Sequence, residues 1–434
     1  MDDVRQRRKT QVDENQNDGM PEKERRIRGE DPTRSRNRCL LVSAIILTLI
    51  GIAILSVVAM MYLRAADNLE DYGSTDEYLR KLVRQINDNS SSTWKAKFNK
   101  FGVKDRSYGF KYTRNSTAVR EVMVELEKFF KSDAMKQHLQ ELTDYPDSSL
   151  PTHFDARLKW PQCPSIARVP NQGGCGSCYA VAAAGVASDR ACIQSNGTFR
   201  ASLSDQDVLG CCEVCGNCYG GDPLKAMVYW VNQGMVTGGR DGCRPYTFDI
   251  TCGAPCSPQT FFDAEKSRTC VKRCQNIYYQ NRYDDDKHFA SLAYSLYPRS
   301  MTISDADAPE VERAKVPTII GHFNSTANPP LTLEQIRTII KKELSLYGPT
   351  TMAFPVPEEF LHYYTGVFRP AEGFQNRIVY WHVVRLIGWG QEDDGSHYWI
   401  AINSFGEHWG DSGTFKINTD QMEHYGLEYE TALV

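Results

Sequence analysis

A glycine-rich segment near the middle of the chain carries the residue best suited to act as a nucleophile. Residues 172–179 read Gln-Gly-Gly-Cys-Gly-Ser-Cys-Tyr, and an alanine-rich stretch with high helix propensity follows directly. We therefore predict Cys178 in the first turn of a helix, where unpaired backbone N–H groups and the positive end of the helix dipole favour a thiolate. Gly176 lets a substrate backbone approach closely, and the side-chain amide of Gln172 is a donor that can stabilise an oxyanion.

The same segment is compatible with two other chemistries. Cys175 and Cys178 form a Cys-x-x-Cys pair, which also occurs in redox proteins and in zinc sites. A redox pair is typical of a smaller, thioredoxin-like domain. A zinc site needs a second cluster of thiolates, and four cysteines downstream offer one: Cys211, Cys212, Cys215 and Cys218.

Two β-prone segments near the C-terminus supply a base for the thiol. Residues 382–389 and 398–403 are rich in branched and aromatic side chains, and a turn sequence separates them. An antiparallel hairpin centred near Asp393 places His382 almost opposite Asn403. An amide that accepts a hydrogen bond from one ring nitrogen sets the tautomer and leaves the other nitrogen facing a thiol. The pattern therefore favours a Cys–His–Asn catalytic group over an isolated structural histidine, and we expect it to act through a Cys178 thiolate and His382 imidazolium pair.

The chain before residue 150 divides at an apolar run. Residues 1–39 are polar with charges of both signs, which predicts a disordered tail. Residues 40–63 carry no charge, and a helix of that length spans about 36 Å, enough for a bilayer core of about 30 Å. A cleaved signal peptide is the alternative, but the run is long and begins far from the N-terminus. Arginines precede the run and acidic residues follow it, which predicts a cytoplasmic N-terminus.

The rest of the chain changes character at Leu150. Residues 64–149 contain no cysteine, and residues 119–142 have the apolar spacing of one amphipathic helix. Cysteine-, glycine- and tryptophan-rich sequence begins at Leu150, and residues 304–330 are expected to form a surface loop.

The cysteines and sequons indicate an oxidising compartment. Of 14 cysteines, all except Cys39 lie after residue 160, as in a disulfide-stabilised domain. Four Asn-x-Ser/Thr sequons lie beyond the apolar run, which agrees with a lumenal or extracellular location. They are Asn89, Asn115, Asn196 and Asn324. The net charge of −4 gives no reason to expect a nucleic-acid partner.

Taken together, these residues resemble the papain-like cysteine proteases, and within them the cathepsin B-like members. The family signature Cys-Gly-[Ser/Ala]-Cys-[Trp/Tyr] matches residues 175–179. Residues 92–99, with Trp94 and Asn99, resemble the short cathepsin B propeptide, and residues 150–157 resemble the start of the mature enzyme. Residues 242–246 and 403–410 are further matches.

The resemblance implies a two-lobed α+β fold: a helical lobe with Cys178 and an antiparallel β-barrel-like lobe with His382 and Asn403. Together with the apolar run, it gives four expected regions: a cytoplasmic tail (1–39), a transmembrane signal anchor (40–63), a stalk and propeptide (64–149) and a catalytic domain (150–434). It implies a latent cysteine-type endopeptidase without metal or cofactor, inhibited by its own propeptide, activated by cleavage near Leu150, and acting on peptides and proteins. The expected location is a type II membrane protein of the secretory or endolysosomal pathway, with a mature domain that can reach the lysosome or extracellular space.

The resemblance also assigns roles to individual residues. The residues it implies for substrate binding are Gly176, Gly220, Gly221, Val383, Trp409 and Glu430. Glu430 matches the acidic residue on the floor of the main specificity pocket, which in cathepsin B admits arginine as well as apolar side chains. The alternative for Glu430 is a solvated carboxylate near the C-terminus.

The disulfide pairing follows from the resemblance as well. It pairs Cys163 with Cys192, Cys175 with Cys218, Cys211 with Cys270, Cys212 with Cys215, Cys243 with Cys274, and Cys252 with Cys256. Only Cys39 and Cys178 stay free, so the zinc interpretation loses its ligands.

Four substitutions depart from the family pattern. Tyr179 and Phe405 replace tryptophans, of which the second normally shields the His–Asn pair from water. Trp381 precedes the catalytic histidine, where we expect crowding on the leaving-group side, and Val383 replaces a small residue of the specificity pocket.

A further departure concerns the loop with which cathepsin B trims dipeptides from C-termini. That loop bears two adjacent histidines, whereas here the Cys252–Cys256 bridge encloses three residues and no histidine occurs between His153 and His288. We therefore expect an endopeptidase, unless Lys266 or Arg268 supplies a substitute cation. A catalytically inactive binding protein is the alternative function, against which the presence of Gln172, Cys178, His382 and Asn403 argues.

Overall fold

The computed structural model describes residues 32–73, 75–100, 116–248, 250–253, 256, 260–303, 312–370, 378–422, 427 and 429–434. The chain divides into two compact units, residues 1–73 and residues 74–434. The helices are α1 (Pro32–Gly73), α2 (Thr75–Asp88), α3 (Ser116–Phe130), α4 (Asp133–Asp144), α5 (Ala156–Lys159), α6 (Cys178–Gln194), α7 (Asp205–Cys211), α8 (Pro223–Gln233), α9 (Thr260–Ser267), α10 (Ile319–Thr326), α11 (Leu333–Tyr347) and α12 (Thr419–Met422). The strands are β1 (Trp94–Ala96), β2 (Phe154–Asp155), β3 (Gly216–Asn217), β4 (Gly220–Gly221), β5 (Leu292–Ser295), β6 (Ser300–Ile303), β7 (Glu312–Lys315), β8 (Thr350–Pro357), β9 (Tyr363–Phe368), β10 (Ile378–Gln391), β11 (His397–Ile402), β12 (Thr414–Asn418) and β13 (Glu430–Leu433).

Helix α1 contains the apolar run. Its stretch Leu40–Met61 has a mean hydropathy of 2.8 and is long enough, by length and composition, to cross a membrane. The helix begins at Pro32, so residues 32–39, expected to be disordered, are helical. Proline suits the first position of a helix, and adding residues to an existing helix costs little free energy. Residues 1–31 lie outside the described part of the chain.

The β part of the second unit is a curled sheet in the order β1-β9-β12-β11-β10-β2, with β8 also paired to β10. All eight residues of β8 are buried, as are most of the 14 residues of β10. The sheet encloses an apolar core of which Phe354, Phe360 and Phe415 are fully buried members. The expected α+β fold is confirmed by this sheet and by the helices packed beside it.

The helical part is centred on α6, which packs against α7, α8 and strand β10. Gly185 of α6 lets β10 approach the helix, since a Cβ at this position would lie only 3.2 Å from the Arg385 guanidinium. Arg385 Nη1 donates to Asp189 Oδ2 of α6 at 2.9 Å and to the Ser165 carbonyl at 3.0 Å. Both charged side chains are buried, so this ion pair ties the helix to the sheet.

Two expectations about the chain's organisation are corrected. The single helix expected over residues 119–142 is two helices, because Ser132 breaks the pattern: its hydroxyl accepts from the Met135 N–H at 3.2 Å and caps α4. Residues 304–330 are not only loop, since β7 pairs with β6 and α10 follows. The apolar side chains Val316, Ile319 and Ile320 are buried and hold this segment to the core.

Candidate active site

Cys178 is the first residue of α6, directly after the N-cap residue Ser177. The backbone N–H groups of Val383, Tyr179 and Cys178 itself point to the thiol and favour its ionised form. Burial outweighs them and raises the pKa of Cys178 to about 11. Burial thus favours the neutral thiol over the expected thiolate–imidazolium pair, although the helix start offers the donors that a thiolate needs.

His382 lies on β10, next to Val383, whose N–H reaches the thiol. Its Nε2 is 2.7 Å from Asn403 Oδ1, and both side chains are buried. Burial lowers the pKa of His382 to about 4, and the hydrogen bond to Asn403 acts in the opposite direction. The amide orients the ring so that the nitrogen facing away from Asn403 is the one available to Cys178.

The structure brings His382 and Asn403 together at the end of the predicted hairpin. The β10–β11 ladder pairs Trp389 with Trp399, shifts by a residue near Ile387, and ends at Arg385 opposite Ile402. His382 and Asn403 lie just beyond that ladder, and the other edge of β10 pairs His382 with Phe354 of β8. The hairpin is confirmed, with a register one to two residues from the predicted one.

Phe405 covers the His–Asn pair. Its ring stacks on the His382 ring with centroids 4.8 Å apart and planes at 24°. Trp409 packs edge-on against Phe405 at 5.4 Å, and its indole N–H donates to the Leu361 carbonyl at 3.1 Å. Phe405 thus shields the pair at a position where the family pattern has a tryptophan, and Trp409 packs behind Phe405.

Gln172 is held beside the nucleophile by a small hydrogen-bond network. Its Nε2 donates to the Cys175 carbonyl at 3.0 Å, and its Oε1 accepts from Ser404 Oγ at 2.6 Å. The Tyr246 hydroxyl donates to the Gln172 carbonyl at 2.6 Å and lies 2.6 Å from Ser177 Oγ. An amide nitrogen carries two N–H groups, so the bond to Cys175 uses only one of them. Ser404 and Tyr246 lie in segments that match the family, but the sequence did not indicate that they position Gln172 from distant parts of the chain.

The glycines expected to bind a substrate backbone lie in contact with neighbouring backbone. A Cβ on Gly176 would approach the Cys218 carbonyl oxygen to 2.5 Å, and one on Gly221 would approach the Tyr179 ring to 2.6 Å. Gly220 and Gly221 form β4, paired with β3. Larger residues would displace these backbones, which the disulfide between Cys175 and Cys218 also holds in place.

Glu430 is neither solvated nor free. It is fully buried, and its Oε1 accepts from Arg299 Nη1 at 2.9 Å. Arg299 also donates to both carboxylate oxygens of Asp222, the residue after Gly221, at 3.2 and 3.1 Å. Thr351 Oγ1 lies 3.2 Å from Glu430 Oε2. The carboxylate expected to receive a substrate arginine is therefore already paired with an arginine of this chain, and no sequence signal singled out Arg299.

The remaining predicted site residues are distributed as follows. Val383 is buried on β10, and Trp381 is half-buried opposite Pro355. Lys266 bonds Asp263 and Arg268 bonds Glu265, so the two cations considered for a substitute lid are both paired with carboxylates. Sequon residues Asn89, Asn196 and Asn324 are exposed, whereas Asn115 lies outside the described residues.

The structure joins twelve cysteines in the six pairs that the resemblance implies: Cys163–Cys192, Cys175–Cys218, Cys211–Cys270, Cys212–Cys215, Cys243–Cys274 and Cys252–Cys256. Among the residues whose side chains are described, Cys178 is the free thiol. In that same part of the chain, no three histidine, cysteine or acidic side chains gather as metal ligands would.

Comparisons with known proteins agree with this geometry. The family model described as papain family cysteine protease matches residues 150–308 and 313–434. The Caenorhabditis elegans "Cathepsin B-like cysteine proteinase 6" is 34% identical over 387 residues, which cover 83% of this chain and 87% of the relative. A "Cathepsin B-like cysteine proteinase" of Schistosoma japonicum is 32% identical over 351 residues, covering 78% of this chain and 85% of the relative.

Among solved structures, "proCathepsin B S9 from Trypanosoma congolense" aligns with a TM-score of 0.52 at 21% identity. The alignment covers 82% of this chain and 97% of that one. The ragweed pollen cysteine protease Amb a 11 in its proform aligns with a TM-score of 0.51 at 17% identity, covering 82% of this chain and 86% of that one. At these sequence identities, the two alignments show a similarity of fold.

The buried state of Cys178 predicts slow reaction with thiol reagents in the intact chain. Below a pKa of about 11 the thiolate fraction rises about tenfold per pH unit, so the rate of alkylation at Cys178 should rise in the same proportion between pH 7 and pH 9. Iodoacetamide labelling followed by mass spectrometry of the Cys178 peptide measures this rate, and Cys178→Ser is the control. A fast, pH-independent labelling rate would contradict the neutral thiol.

Proposed function

The chain belongs to the papain family of cysteine proteases, and we propose that it is a cathepsin B-like endopeptidase made as a latent, membrane-anchored zymogen. The observation that carries the proposal is the conjunction of Cys178 at a helix start with a His382 ring held by Asn403 at 2.7 Å. All four catalytic positions are filled, with His382 bonded to Asn403 and Gln172 bonded to Ser404, so we do not adopt the alternative of an inactive binding protein.

The chemistry follows from this arrangement. His382 removes the Cys178 proton, and the thiolate attacks the scissile carbonyl to form a tetrahedral intermediate. The Cys178 N–H and the Gln172 side chain stabilise the oxyanion, and His382 then returns the proton to the leaving amine. Water hydrolyses the acyl-enzyme, with His382 again acting as the base. Asn403 keeps the ring oriented through both steps.

Substitution of the catalytic pair tests this mechanism. In the activated enzyme, Cys178→Ala and His382→Ala should each lower kcat/KM for peptide hydrolysis by about 10³-fold or more, because each removes one half of the nucleophilic unit. Asn403→Ala should cost less, since it affects only ring orientation. Thermal unfolding of each variant provides the control for folding. Near-normal turnover by either alanine variant would refute the mechanism.

Cleavage within chains, rather than dipeptide trimming, is the second part of the proposal. Trimming requires a cation that binds the substrate's terminal carboxylate. Arg268 is held by both oxygens of Glu265 at 2.9 and 3.0 Å and also donates to the Leu209 carbonyl. Lys266 is exposed and paired with Asp263. These pairings support an open primed end of the cleft without a carboxylate clamp.

An internally quenched peptide with a free C-terminus, compared with its C-terminal amide, measures the mode of cleavage. We expect kcat/KM values within about threefold of each other, because no charged contact to the terminus is lost in the amide. Arg268→Ala should leave this ratio unchanged. A strong preference for the free acid, with dipeptides as the main products, would overturn the endopeptidase assignment.

The pairing of Arg299 with Glu430 supports a specificity unlike that described for cathepsin B. Glu430 is a buried carboxylate that already accepts a hydrogen bond from Arg299, so a second, substrate arginine would add little binding free energy. Lys225 is also buried beside Asp222 and Arg299. The two acids are thus balanced by two bases, and we propose that the pocket prefers an apolar side chain two residues before the scissile bond.

Replacement of Arg299 tests the origin of this preference. Arg299→Met leaves Glu430 uncompensated, so we expect kcat/KM for an arginine at that substrate position to rise about tenfold relative to leucine. The double variant Arg299→Met with Glu430→Gln is the matched control, in which the gain should disappear. A wild-type enzyme that already prefers arginine, or a single variant without any change in ratio, would contradict the proposal.

Latency is supported by the way the chain's own segment occupies the sheet edge. Strand β1 pairs antiparallel with β9, and Trp94 packs against Phe368 with ring centroids 4.9 Å apart. A Cβ on Gly366 would lie 2.4 Å from the Thr93 carbonyl oxygen, so glycine is required at this crossing. The Asn99 side chain donates to the Leu361 carbonyl at 3.0 Å. These contacts anchor the proposed inhibitory segment to the catalytic domain.

One hydrogen bond of this anchor is lost at acidic pH. The Asn99 N–H donates to His362 Nδ1 at 3.0 Å, which requires that nitrogen to be unprotonated. Burial lowers the pKa of His362 from 6.5 to about 4, and the ring faces Phe98 and the backbone of Lys97. His362 binds its proton at a lower pH in the anchored state than in the released state. The contact is therefore fully present above pH 6.5 and is lost as pH falls towards 4.

We therefore expect activation to be faster at pH 4.5 than at pH 7, and His362→Asn to remove most of this difference. Asparagine keeps an acceptor near the position of Nδ1 but does not titrate, so activation of the variant at pH 4.5 should slow about tenfold. The rate at which activity appears measures the effect, and exposed His408→Asn is the control. An unchanged pH profile in the His362 variant would contradict this role.

The proposed location rests on α1 and on the cysteines. The stretch Leu40–Met61 has the length of a membrane span, and the disulfides and exposed sequons all follow it in the chain. We propose a type II orientation with the catalytic domain in the lumen of the secretory or endolysosomal pathway or outside the cell.

A further inference from the structure

Helices α3 and α4 connect the inhibitory segment to the start of the family match at residue 150. Both belong to the stretch expected to be removed as propeptide. Residues 146–149, which follow α4, are exposed and accessible to a protease. The question is whether a cut there would free the helices from the catalytic domain.

The apolar faces of both helices lie in the core of the catalytic domain. Helix α3 packs against β5, β6 and α8, and α4 packs against α11. Their buried side chains belong to the same hydrophobic cluster as Cys178 and Val383. They are Val119, Val122, Met123, Leu126, Phe129, Met135, Leu139 and Leu142, each less than 10% exposed. Removal of the helices would expose an apolar surface in one piece.

A buried polar network crosses the same boundary. His138 Nε2 of α4 lies 2.9 Å from Glu343 Oε2 of α11. The other oxygen of Glu343 accepts from Arg190 Nη2 at 2.9 Å and from the Tyr294 hydroxyl at 2.5 Å. Arg190 belongs to α6, the helix that begins with Cys178. Loss of α4 would leave this buried carboxylate one hydrogen bond short, beside an empty space.

Contacts at the end of α4 strengthen the attachment. Lys342 Nζ donates to the Leu142 carbonyl at 3.2 Å and pairs with Asp147 at 2.7 Å. The Tyr347 hydroxyl donates to Glu141, and its ring packs on His138 at 4.3 Å. The helix is thus held on several sides by α11.

The network persists in acid, unlike the contact at His362. Burial acts to raise the pKa of Glu343, but His138 and Arg190 outweigh it and hold the pKa at about 2, below its ordinary 4.5. The titratable and charged groups that face it are His138 on α4, Arg190 on α6, Tyr294 on β5 and Tyr347 on α11. A depressed carboxyl pKa stabilises the contact above pH 4.5, and that stabilisation is lost only as pH falls towards 2.

We propose that helices α3 and α4 are a permanent part of the catalytic domain and stay bound when the chain is cut near Leu150. That cut alone then leaves β1 tethered at its binding site through α3, and the enzyme stays latent. Activation requires a cut before Ser116, and residues 116–149 remain with the active enzyme, either continuous with it or as a bound light chain. The functional consequence rests on the proposed protease activity, whereas the binding of the helices does not.

Two full-length variants in detergent separate the possibilities. One carries a recognition sequence for a site-specific protease between Ser149 and Leu150, and the other carries it between Asn115 and Ser116. After each cut at pH 5 and pH 7, gel filtration followed by a denaturing gel shows which pieces travel together, and hydrolysis of a peptide substrate is assayed. We expect the first cut to leave residues 1–149 bound with little activity at both pH values. The second should release residues 1–115 at pH 5, where the His362 contact is weakened, with activity rising about tenfold or more.

Helix α3 offers a matched pair of controls. Val122 is 6% exposed, whereas Val124 on the same helix is 64% exposed. In the chain cut after Ser149, Val122→Asp should let the fragment dissociate and Val124→Asp should not. If Val122→Asp does not fold, the cut of the otherwise unchanged chain still decides the matter.

Separation of residues 1–149 from the catalytic domain under native conditions, or full activity after the first cut alone, would overturn the proposal. If neither cut produces activity, the catalytic assignment fails instead. The co-migration of the pieces then still reports on the helices by itself.

Discussion

The buried ion pair between Arg385 and Asp189 is the interaction on which the active site depends. It joins β10, three residues after His382, to α6, eleven residues after Cys178, with Nη1 and Oδ2 2.9 Å apart. A nucleophile and its base come from different parts of the fold, so their spacing is only as constant as the contact between helix and strand. Removal of one partner of a buried ion pair strongly destabilises the folded protein. The native state therefore keeps this helix and strand joined.

The same requirement for paired charges shapes the rest of the molecule. Arg299 lies between Asp222 and Glu430, and Arg190 with His138 holds Glu343. Each of these buried acids has a base beside it, because an unpaired charge in the interior costs several kcal/mol (about 3–5). In one place the pairing underlies the proposed apolar specificity, and in the other it joins α4, which lies outside the family match, to α11 and α6. The need to pair buried acids with bases therefore acts on both the active site and the stability of the fold.

Much of the site was predictable from local sequence. A glycine-rich turn followed by alanines places Cys178 at a helix start, and β-prone segments around a turn bring His382 towards Asn403. The predicted hairpin is present, but the bulge in β10 and the pairing of His382 with Phe354 of β8 were not visible in the sequence. The single helix expected before Leu150 was wrong, because a capping serine interrupts an apolar spacing that would otherwise continue.

By itself, the sequence determined the reaction class and the apolar segment, because these depend on residue type and short-range spacing, and the family resemblance of its motifs implied the α+β fold. Tertiary structure decided what long-range pairing controls: that Glu430 meets Arg299 from 131 residues away, and that His138 meets Glu343 across 205 residues. It also decided that α3 and α4 pack into the catalytic core, which their amphipathic pattern left open. An apolar face must be buried, but only the folded chain selects the surface that buries it.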